Sequence, residues 1–387
     1  MIQHALSKIK VVELGGYIAG AFCATLLADL GAEVIKFESL QGDGLRGLLG
    51  SFQNWNRGKR GIAVDLRSVE GQAILHKLMQ QSDVLVQNLR PDVSKRWGAD
   101  YATLSRINPQ LIYCSMPGYG ESGPYIDKPS FDPIFQSRSG AMAAQGGPGN
   151  PPVFHRIAIC DYAGAMLGAY GVATALYLRA RTGKGQRLNL PLMNAAITIQ
   201  SGEFVAYPSK PEDEPRMDSL GINATYRLYK ARDSWFFLGC RDDSLWPALC
   251  HALGKDELIN DPRFESPTER QNNAPQISGI FEAVFASDSR QHWLDRLEQA
   301  GIPCAPAYYS PELFDHPHIR HNELMAEHES AQLGKVKQLG MVIKLSKTPG
   351  KLWRAAPVLG QHTDEILTEL EYSADEIQEL RGNRIIA

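Results

Sequence analysis

A chain of 387 residues, 43% hydrophobic and 21% charged, has enough apolar material for two domains with cores of their own, which excludes a disordered or fibrous polypeptide. A formal net charge of −3 gives no general attraction to nucleic acid or to an anionic membrane, so neither is an expected partner. The six cysteines contain no C-x-x-C pair and sit among apolar or small neighbours. They read as buried free thiols, and the opening MIQHALSKIK lacks the apolar segment of a signal peptide, so a cytoplasmic location is expected.

In chain order, residues 9–14 form a continuous apolar strand, Gly15 and Gly16 a turn, residues 18–30 a helix and 33–38 a second strand. This β-turn-α-β opening starts a doubly wound parallel sheet. Further strands at 62–66, 83–87, 111–116 and 187–190, with a helix over 70–81, continue the alternation. Glu38 stands where a dinucleotide fold places its ribose acid, but Gly15, Gly16 and Gly20 do not make G-x-G-x-x-G, which sets a nicotinamide oxidoreductase aside. Residues 56–61, NRGKRG, form a compact basic loop, read either as a solvated turn or as a contact for a phosphorylated ligand.

Residues 152–186 organise the first domain. Asp161 is followed by about seventeen almost uncharged residues rich in glycine and alanine, closed by Arg179, Arg181 and Gly183. The pattern is that of a buried helix, short for a membrane span and with an acid at its edge. Asp161 stands at the N-cap position and has two readings. Its oxygens cap the helix, or the carboxylate, kept ionised by helix N–H groups and shielded from water, is a nucleophile for an activated acyl group.

Residues 207–218, YPSKPEDEPRMD, have a linker composition. A hairpin at 226–231 and 235–240 and helices at 244–253, 274–286 and 289–300 make a smaller α+β domain. Residues 303–317 are again proline-rich, 340–359 run as strand and loop, and 363–370 form a last helix. The chain therefore leaves its first domain and returns to it: 1–206 form a large domain, 207–225 a linker, 226–302 the small domain, 303–339 a second linker, and 340–387 complete the large domain. His316, His318, His321 and His328 lack the cysteines or tight spacing of a zinc site, so no metal is expected, and no G-x-S-x-G marks a serine hydrolase.

The segments VVELGGYIAGAFCATLLADLGAEVIKFE, NRGKRGIAVDLRS, DVLVQNLRPDVSKRWG and NPQLIYCSMPGYGESGP, followed by the Asp161 helix and TGKGQ, resemble in order and spacing the class III coenzyme A transferases (CaiB/BaiF family). That family includes formyl-CoA, oxalate and carnitine CoA-transferases, with α-methylacyl-CoA racemases as a divergent branch. The resemblance implies an α/β fold, a Rossmann-like parallel-sheet large domain plus a small α+β domain, in an interlocked homodimer. The active site would lie between the large domain of one subunit and the small domain of the other.

The resemblance also implies transfer of CoA from an acyl-CoA to a small carboxylic acid, with Asp161 passing through a mixed anhydride and a CoA thioester. Coenzyme A would be a substrate, with no tightly bound cofactor. Tyr17, Ile18 and Ala19 would line the thioester end, Arg67, Asn88, Arg96 and Trp97 would hold the nucleotide and pyrophosphate, and Arg57, Lys59 and Arg60 would supply a basic field. Phe131 and Asp132 correspond to an aromatic-acid pair beside the site, and Gly221, in Ser219-Leu220-Gly221, to the family's glycine loop.

Where the family often has Arg-Val-Gly ahead of the aspartate, this chain has Phe154-His155-Arg156. Arg156 is expected either to pair with a protein acid such as Asp132 or to face the acceptor, where its fork would favour a dicarboxylic acid. Two alternatives stand beside transfer. A racemase places a histidine base where this chain has Phe131, and a non-catalytic CoA binder would have no need of a shielded Asp161.

Overall fold

Six strands, β1 (Lys10–Leu14), β2 (Glu33–Glu38), β3 (Lys59–Ala63), β4 (Val84–Gln87), β5 (Ile112–Ser115) and β6 (Gln186–Asn189), pair in parallel in the order β3-β2-β1-β4-β5-β6. Apart from Lys10, β1 and β4 are buried throughout, which is why VVEL and VLVQ read as continuous apolar runs: a parallel sheet is covered on both faces. The strand order reverses between β1 and β4, and in sheets of this kind ligands bind beyond the carboxyl ends at that point. This is the α/β, Rossmann-like architecture that the sequence implies.

The computed structural model describes residues 4–210 and 218–387. Two units separate: Met1–Ser139 with His155–Val205 and Pro317–Ala387, and Gly140–Phe154 with Ala206–His316. The first nine helices are α1 (Ala19–Asp29), α2 (Leu49–Asn56), α3 (Val69–Gln80), α4 (Pro91–Arg96), α5 (Tyr101–Ile107), α6 (Asp132–Arg138), α7 (Ala141–Gly146), α8 (Ile159–Thr182) and α9 (Leu192–Thr198); all but α7 belong to the first unit.

Alternation along each strand sends Val11, Val84, Val86 and Ile112 to one face, against α1, α8 and α9, and Val12, Leu14, Ile35, Ile62 and Leu85 to the other. The second face is closed by α3, α5 and the returning helices Thr363–Glu369 and Ala374–Gly382, through Ile366, Leu367 and Ile377. Glycines in α8 are there for close approach: a Cβ at Gly164 would lie 2.5 Å from Leu192 Cδ2, and one at Gly168 3.0 Å from Cys23 Sγ. All six cysteines are free thiols, five buried and Cys304 half-buried.

Three expectations change. The third strand is Lys59–Ala63 rather than 62–66, because Lys59 and Arg60, read as loop cations, are buried strand residues whose charges are met by carboxylates of the protein. Much of the expected second linker is a hairpin, β11 (Met325–Ser330) and β12 (Gly334–Leu339), turned at Gly334 with φ of 66°. No strand occurs among residues 340–359.

The second unit carries an antiparallel sheet in the order β10-β9-β8-β7, from β7 (Gly221–Asn223), β8 (Tyr226–Lys230), β9 (Trp235–Gly239) and β10 (Cys304–Pro306). Its helices α10 (Trp246–Leu253), α11 (Pro267–Asn272), α12 (Ala274–Phe285) and α13 (Arg290–Gln299) surround a core of Tyr229, Phe236, Phe281, Phe285 and Trp293. Of the first expected linker, 211–217 lie outside the described residues, and Asp218 bridges to Gly221.

Candidate active site

Beyond the carboxyl end of β1 the chain turns through Gly15, Gly16 and Tyr17 into α1. Tyr17 has φ of 64°, a left-handed conformation that a non-glycine residue holds only where its surroundings fix it. Here the Tyr17 N–H donates to Asp43 Oδ1 at 3.3 Å. Asn88, just after β4, grips Gly16 on both sides: its Oδ1 accepts from Gly16 N at 3.1 Å and its Nδ2 donates to Gly16 O at 2.7 Å. Ile18 is the N-cap residue of α1 and Ala19 its buried first residue. Tyr17 is half exposed, the other two face inward, and all three belong to one rigid turn.

Beside that turn is a cavity of about 300 Å³, lined by Gly15, Gly16, Asp43, Arg67, Leu89 and Trp97 among others. Arg67 is exposed and, among the described residues, paired only with Asp65, at 2.8 Å, so its guanidinium is within reach of a ligand. Arg96 is exposed on the last turn of α4, 3.7 Å from Asp92, next to the half-buried Trp97. Of the residues assigned to CoA by resemblance, the structure thus gathers Arg67 and Trp97 around one cavity. Asn88 differs from that assignment: both ends of its amide are already engaged by Gly16.

The basic field around residues 57–60 is not open to a ligand. The Arg57 guanidinium is buried and paired with Asp29 at 2.7 Å. Arg60 is held by Glu365 and Glu369, both at 2.6 Å, and by Glu33. Lys59 Nζ donates to Ala21 O, Asn56 Oδ1, Trp55 O and Glu13 Oε2. These cations satisfy carboxylates and carbonyls within the protein, so Arg60 is a structural residue rather than a phosphate contact.

They belong to an ionic layer that the sequence reading missed. Glu13 and Lys36 are cross-strand neighbours in β1 and β2, and Lys36 Nζ donates to Glu13 at 3.0 Å and to Asp43 at 3.0 Å. Burial acts to lower the Lys36 pKa, but Glu13, Asp43 and Glu38 outweigh it and raise it. For Lys59 burial wins, and its ammonium is pushed down to about 8. Burial would raise Asp43, yet Lys36 and the N–H groups of Leu45 and Tyr17 hold it below the usual carboxylate range. A single charge inside each of two apolar strand runs, Glu13 and Lys36, was the available signal.

A chain of contacts leads from the turn to Asp161. The Tyr17 ring meets Phe131 edge-on, with centroids 6.0 Å apart. Phe131 is the exposed N-cap residue of α6, and the next residue, Asp132, is buried. Asp132 Oδ2 accepts from Cys160 N at 2.8 Å and Asp161 N at 3.0 Å, while Gln136 Nε2 donates to Asp132 Oδ1.

Asp161 is therefore not a cap. Helix α8 begins at Ile159 with Ala158 in the N-cap position, and Asp161 is its third residue. Its carboxylate is buried and, among the described residues, has no hydrogen-bond partner. Burial, reinforced by the charge of Asp132, pushes its pKa up to about 7. The expectation that helix N–H groups keep it ionised gives way: those groups are spent on Asp132.

Two further expectations are corrected. Arg156 is exposed and forms no ion pair with Asp132 or any other described residue, because Asp132 is filled by Gln136 and two backbone N–H groups. Gly221 lies in a strand of the second unit, opposite Arg227, where a Cβ would come within 2.1 Å of Arg227 Cβ. Its lack of a side chain serves strand pairing, not a mobile glycine loop. Among the described residues no three His, Cys, Asp or Glu side chains are grouped as metal ligands.

Compared with known proteins, the chain matches the family model described as CoA-transferase family III over residues 6–363. It is 32% identical over 394 residues to the succinyl-CoA–D-citramalate CoA-transferase of Chloroflexus aurantiacus, covering 98% of each chain. With the acetyl-CoA:oxalate CoA-transferase of Acetobacter aceti it shares 33% identity over 310 residues, 77% of this chain and 79% of the other. A succinate–glutarate CoA-transferase of Agrobacterium fabrum is 28% identical, over 95% and 96% of the two chains. Among solved structures, a CaiB/BaiF family protein from Brucella suis matches with a TM-score of 0.86 at 30% identity, over 95% of this chain and 100% of that one.

Proposed function

The chain belongs to CoA-transferase family III and is a CoA-transferase, and we propose that it passes coenzyme A from an acyl-CoA to a small dicarboxylic acid through covalent intermediates on Asp161. The observation that carries this reading is the state of the Asp161 carboxylate: buried at the start of α8, without a hydrogen-bond partner, and with a pKa of about 7. At neutral pH part of it is ionised, and it is more basic than a free carboxylate, as a nucleophile for a thioester carbonyl should be.

In the first step a carboxylate oxygen of Asp161 attacks the thioester carbonyl of the donor, the C–S bond breaks, and CoA leaves as a thiolate from a mixed anhydride. The thiolate then attacks the Asp161 carbonyl, releasing the donor acid and leaving an aspartyl-CoA thioester. The acceptor carboxylate attacks that thioester to form a second anhydride, and returning CoA thiolate attacks the acceptor carbonyl, freeing product and Asp161. Charge and atoms balance at each step without a redox partner. The cavity lined by Gly15, Gly16, Arg67 and Trp97 would hold the nucleotide end of CoA, with the Tyr17 turn between it and the acyl end.

A dicarboxylic acceptor is supported by Arg156, exposed, unpaired and five residues ahead of Asp161, where its fork would take a second carboxylate. The named acids of the relatives, citramalate, glutarate and oxalate, all carry two carboxylates. A racemase reading is disfavoured because the ring of Phe131 cannot accept a proton. The apolar outer face of α8 would be covered by a second copy of the chain, as in an interlocked homodimer.

The test combines a panel of acyl-CoA donors and acids with two variants. Asp161→Ala should abolish transfer while retaining CoA binding, and hydroxylamine should inactivate the wild type only when donor is present. Arg156→Met should lose kcat/KM selectively for dicarboxylates; an equal loss for all acids would reject the acceptor assignment, and full activity in Asp161→Ala would reject the nucleophile.

A further inference from the structure

We infer that Asp132 is a positioning residue for Asp161: by taking both free N–H groups at the start of α8, it leaves the Asp161 carboxylate without a capping role and free to face the substrate. The inference rests on the reading of Asp161 as the nucleophile.

The opening N–H groups of a helix lack intrahelical partners, and an acid in the first turn ordinarily folds back onto them. In α8 each is already engaged. Ile159 N donates to Ile157 O at 2.8 Å, Cys160 N and Asp161 N donate to Asp132 Oδ2 at 2.8 and 3.0 Å, and Tyr162 N donates to Ala158 O at 3.0 Å. No donor in this turn is left for the Asp161 side chain.

Gln136, one turn along α6 from Asp132, locks the arrangement. Its Nε2 donates to Asp132 Oδ1, to His155 O at 3.1 Å and to Ile157 O at 3.3 Å, while its Oε1 accepts from His155 N at 3.2 Å. One amide thus ties the capping carboxylate to the segment that enters α8. With Oδ1 taken by Gln136 and Oδ2 by two N–H groups, Asp132 is buried and has little left for a substrate. This separates it from the substrate contact that the family resemblance implies.

The electrostatic surroundings agree. Among the described residues no lysine or arginine pairs with either carboxylate. The neighbouring Cys160 thiol is pushed up to about 12 by burial and by both acids, so it stays neutral. On the elements packed against α8, the remaining groups are Cys23 of α1, whose pKa is raised through Cys114 and burial, Asp29 at the last position of α1, paired with Arg57, Cys114 and Tyr113 of β5, Arg138 of α6 and Arg187 of β6. In the approach segment His155 meets Gln136 through its backbone. Among the described residues, burial and the charge of Asp132 are what raise the Asp161 pKa.

The experiment compares Asp132→Ala, Asp132→Asn and Gln136→Leu with wild type, in the donor half-reaction (acyl-CoA without acceptor, read as the rate of donor-dependent inactivation by hydroxylamine) and in full turnover across pH. Asp132→Ala should lower both the limiting rate of donor-dependent inactivation and the turnover kcat about 100-fold, with both KM values within about threefold, because an interaction made only through the nucleophile is lost. Asp132→Asn, which removes the charge, should move the acid limb of kcat/KM to lower pH by about one unit. Gln136→Leu should lower kcat about tenfold, and it keeps the test alive if Asp132→Ala does not fold.

A raised acceptor KM with kcat intact would make Asp132 a substrate contact and overturn the inference. So would variants that lose only thermal stability while the pH limb and kcat stay in place. Residual full activity in Asp161→Ala would instead remove the nucleophile reading itself, so the two failures are distinguishable.

Discussion

Asn88 holds Gly16 by both of its backbone polar groups, and the Asn88 oxygen fills the space a side chain at Gly15 would need: a Cβ there would lie 2.3 Å from Asn88 Oδ1. The clamp and the glycine are two halves of one device that fixes the turn at the cavity.

The first prediction is a double-mutant cycle on that device. Asn88→Ala leaves part-buried backbone groups of Gly16 unpaired and should cost about 1–3 kcal/mol. Gly15→Ala forces the Asn88 side chain aside and should cost about the same. The double variant should be more stable than the sum of the two losses by about 1 kcal/mol or more, since the clash disappears with the amide. Strict additivity in denaturant melts would show that the two residues are not coupled.

Arg60 and Arg67 should separate cleanly by assay. Arg60 is buried against Glu33, Glu365 and Glu369, so Arg60→Leu should cost about 1–3 kcal/mol of stability, moderated because the three acids are themselves half exposed. It should leave the KM for CoA esters unchanged. Arg67→Ala should raise that KM about 3- to 10-fold, less so at high salt, with no change in melting temperature. Interchanged phenotypes would place the ligand at the other end of β3.

The strands were legible because a parallel sheet buries both faces, and 9–14, 33–38 and 83–87 each carry an apolar stretch, Val11-Val12, Val34-Ile35 and Val84-Leu85-Val86. The third strand was not, since the partners that make Lys59 and Arg60 acceptable in a sheet are remote: Glu13 is 46 residues back, and Glu365 and Glu369 are 305 and 309 ahead. Asp161 was legible as an isolated acid at the head of an apolar helix, yet its environment was misjudged for the same reason. Whether an acid near a helix start is a cap depends on what else reaches the N–H groups, and here that is Asp132, 29 residues upstream. Asn88 shows the converse: resemblance marked the position, but only geometry reveals that its amide is already occupied.

The third prediction concerns assembly. On α8 the side chains of Met166, Tyr170 and Tyr177 recur at helical spacing and are 55%, 72% and 60% exposed, and Ile199, Phe204 and Val205 are exposed on the chain after α9. Exposed large apolar side chains in this number are what a surface covered by a partner would present. Light scattering should give a mass of twice 42.8 kDa that persists on dilution. Tyr170→Glu with Tyr177→Glu should shift the protein toward monomer or insoluble material. A wild type that is monomeric at micromolar concentration would leave this face without the proposed occupant.

The last prediction sets stability against activity at Asp161. Its folded pKa of about 7 lies above the unfolded value of about 3.9. Between those limits the native state keeps a proton that the unfolded chain has lost, so its stability falls as pH rises toward 7. Asp161→Asn mimics the protonated acid and lacks this penalty. Below pH 4 variant and wild type should differ little. From pH 4 to 7 the variant should gain ~1.4 kcal/mol per unit, reaching on the order of 4 kcal/mol at most before levelling off. The donor half-reaction of the wild type should climb over the upper part of the same range, because the ionised form is the nucleophile. A stability gap that is independent of pH, or an Asp161→Asn protein less stable than wild type at pH 8, would mean that the carboxylate is not held in the buried, unpartnered state from which its reactivity is argued.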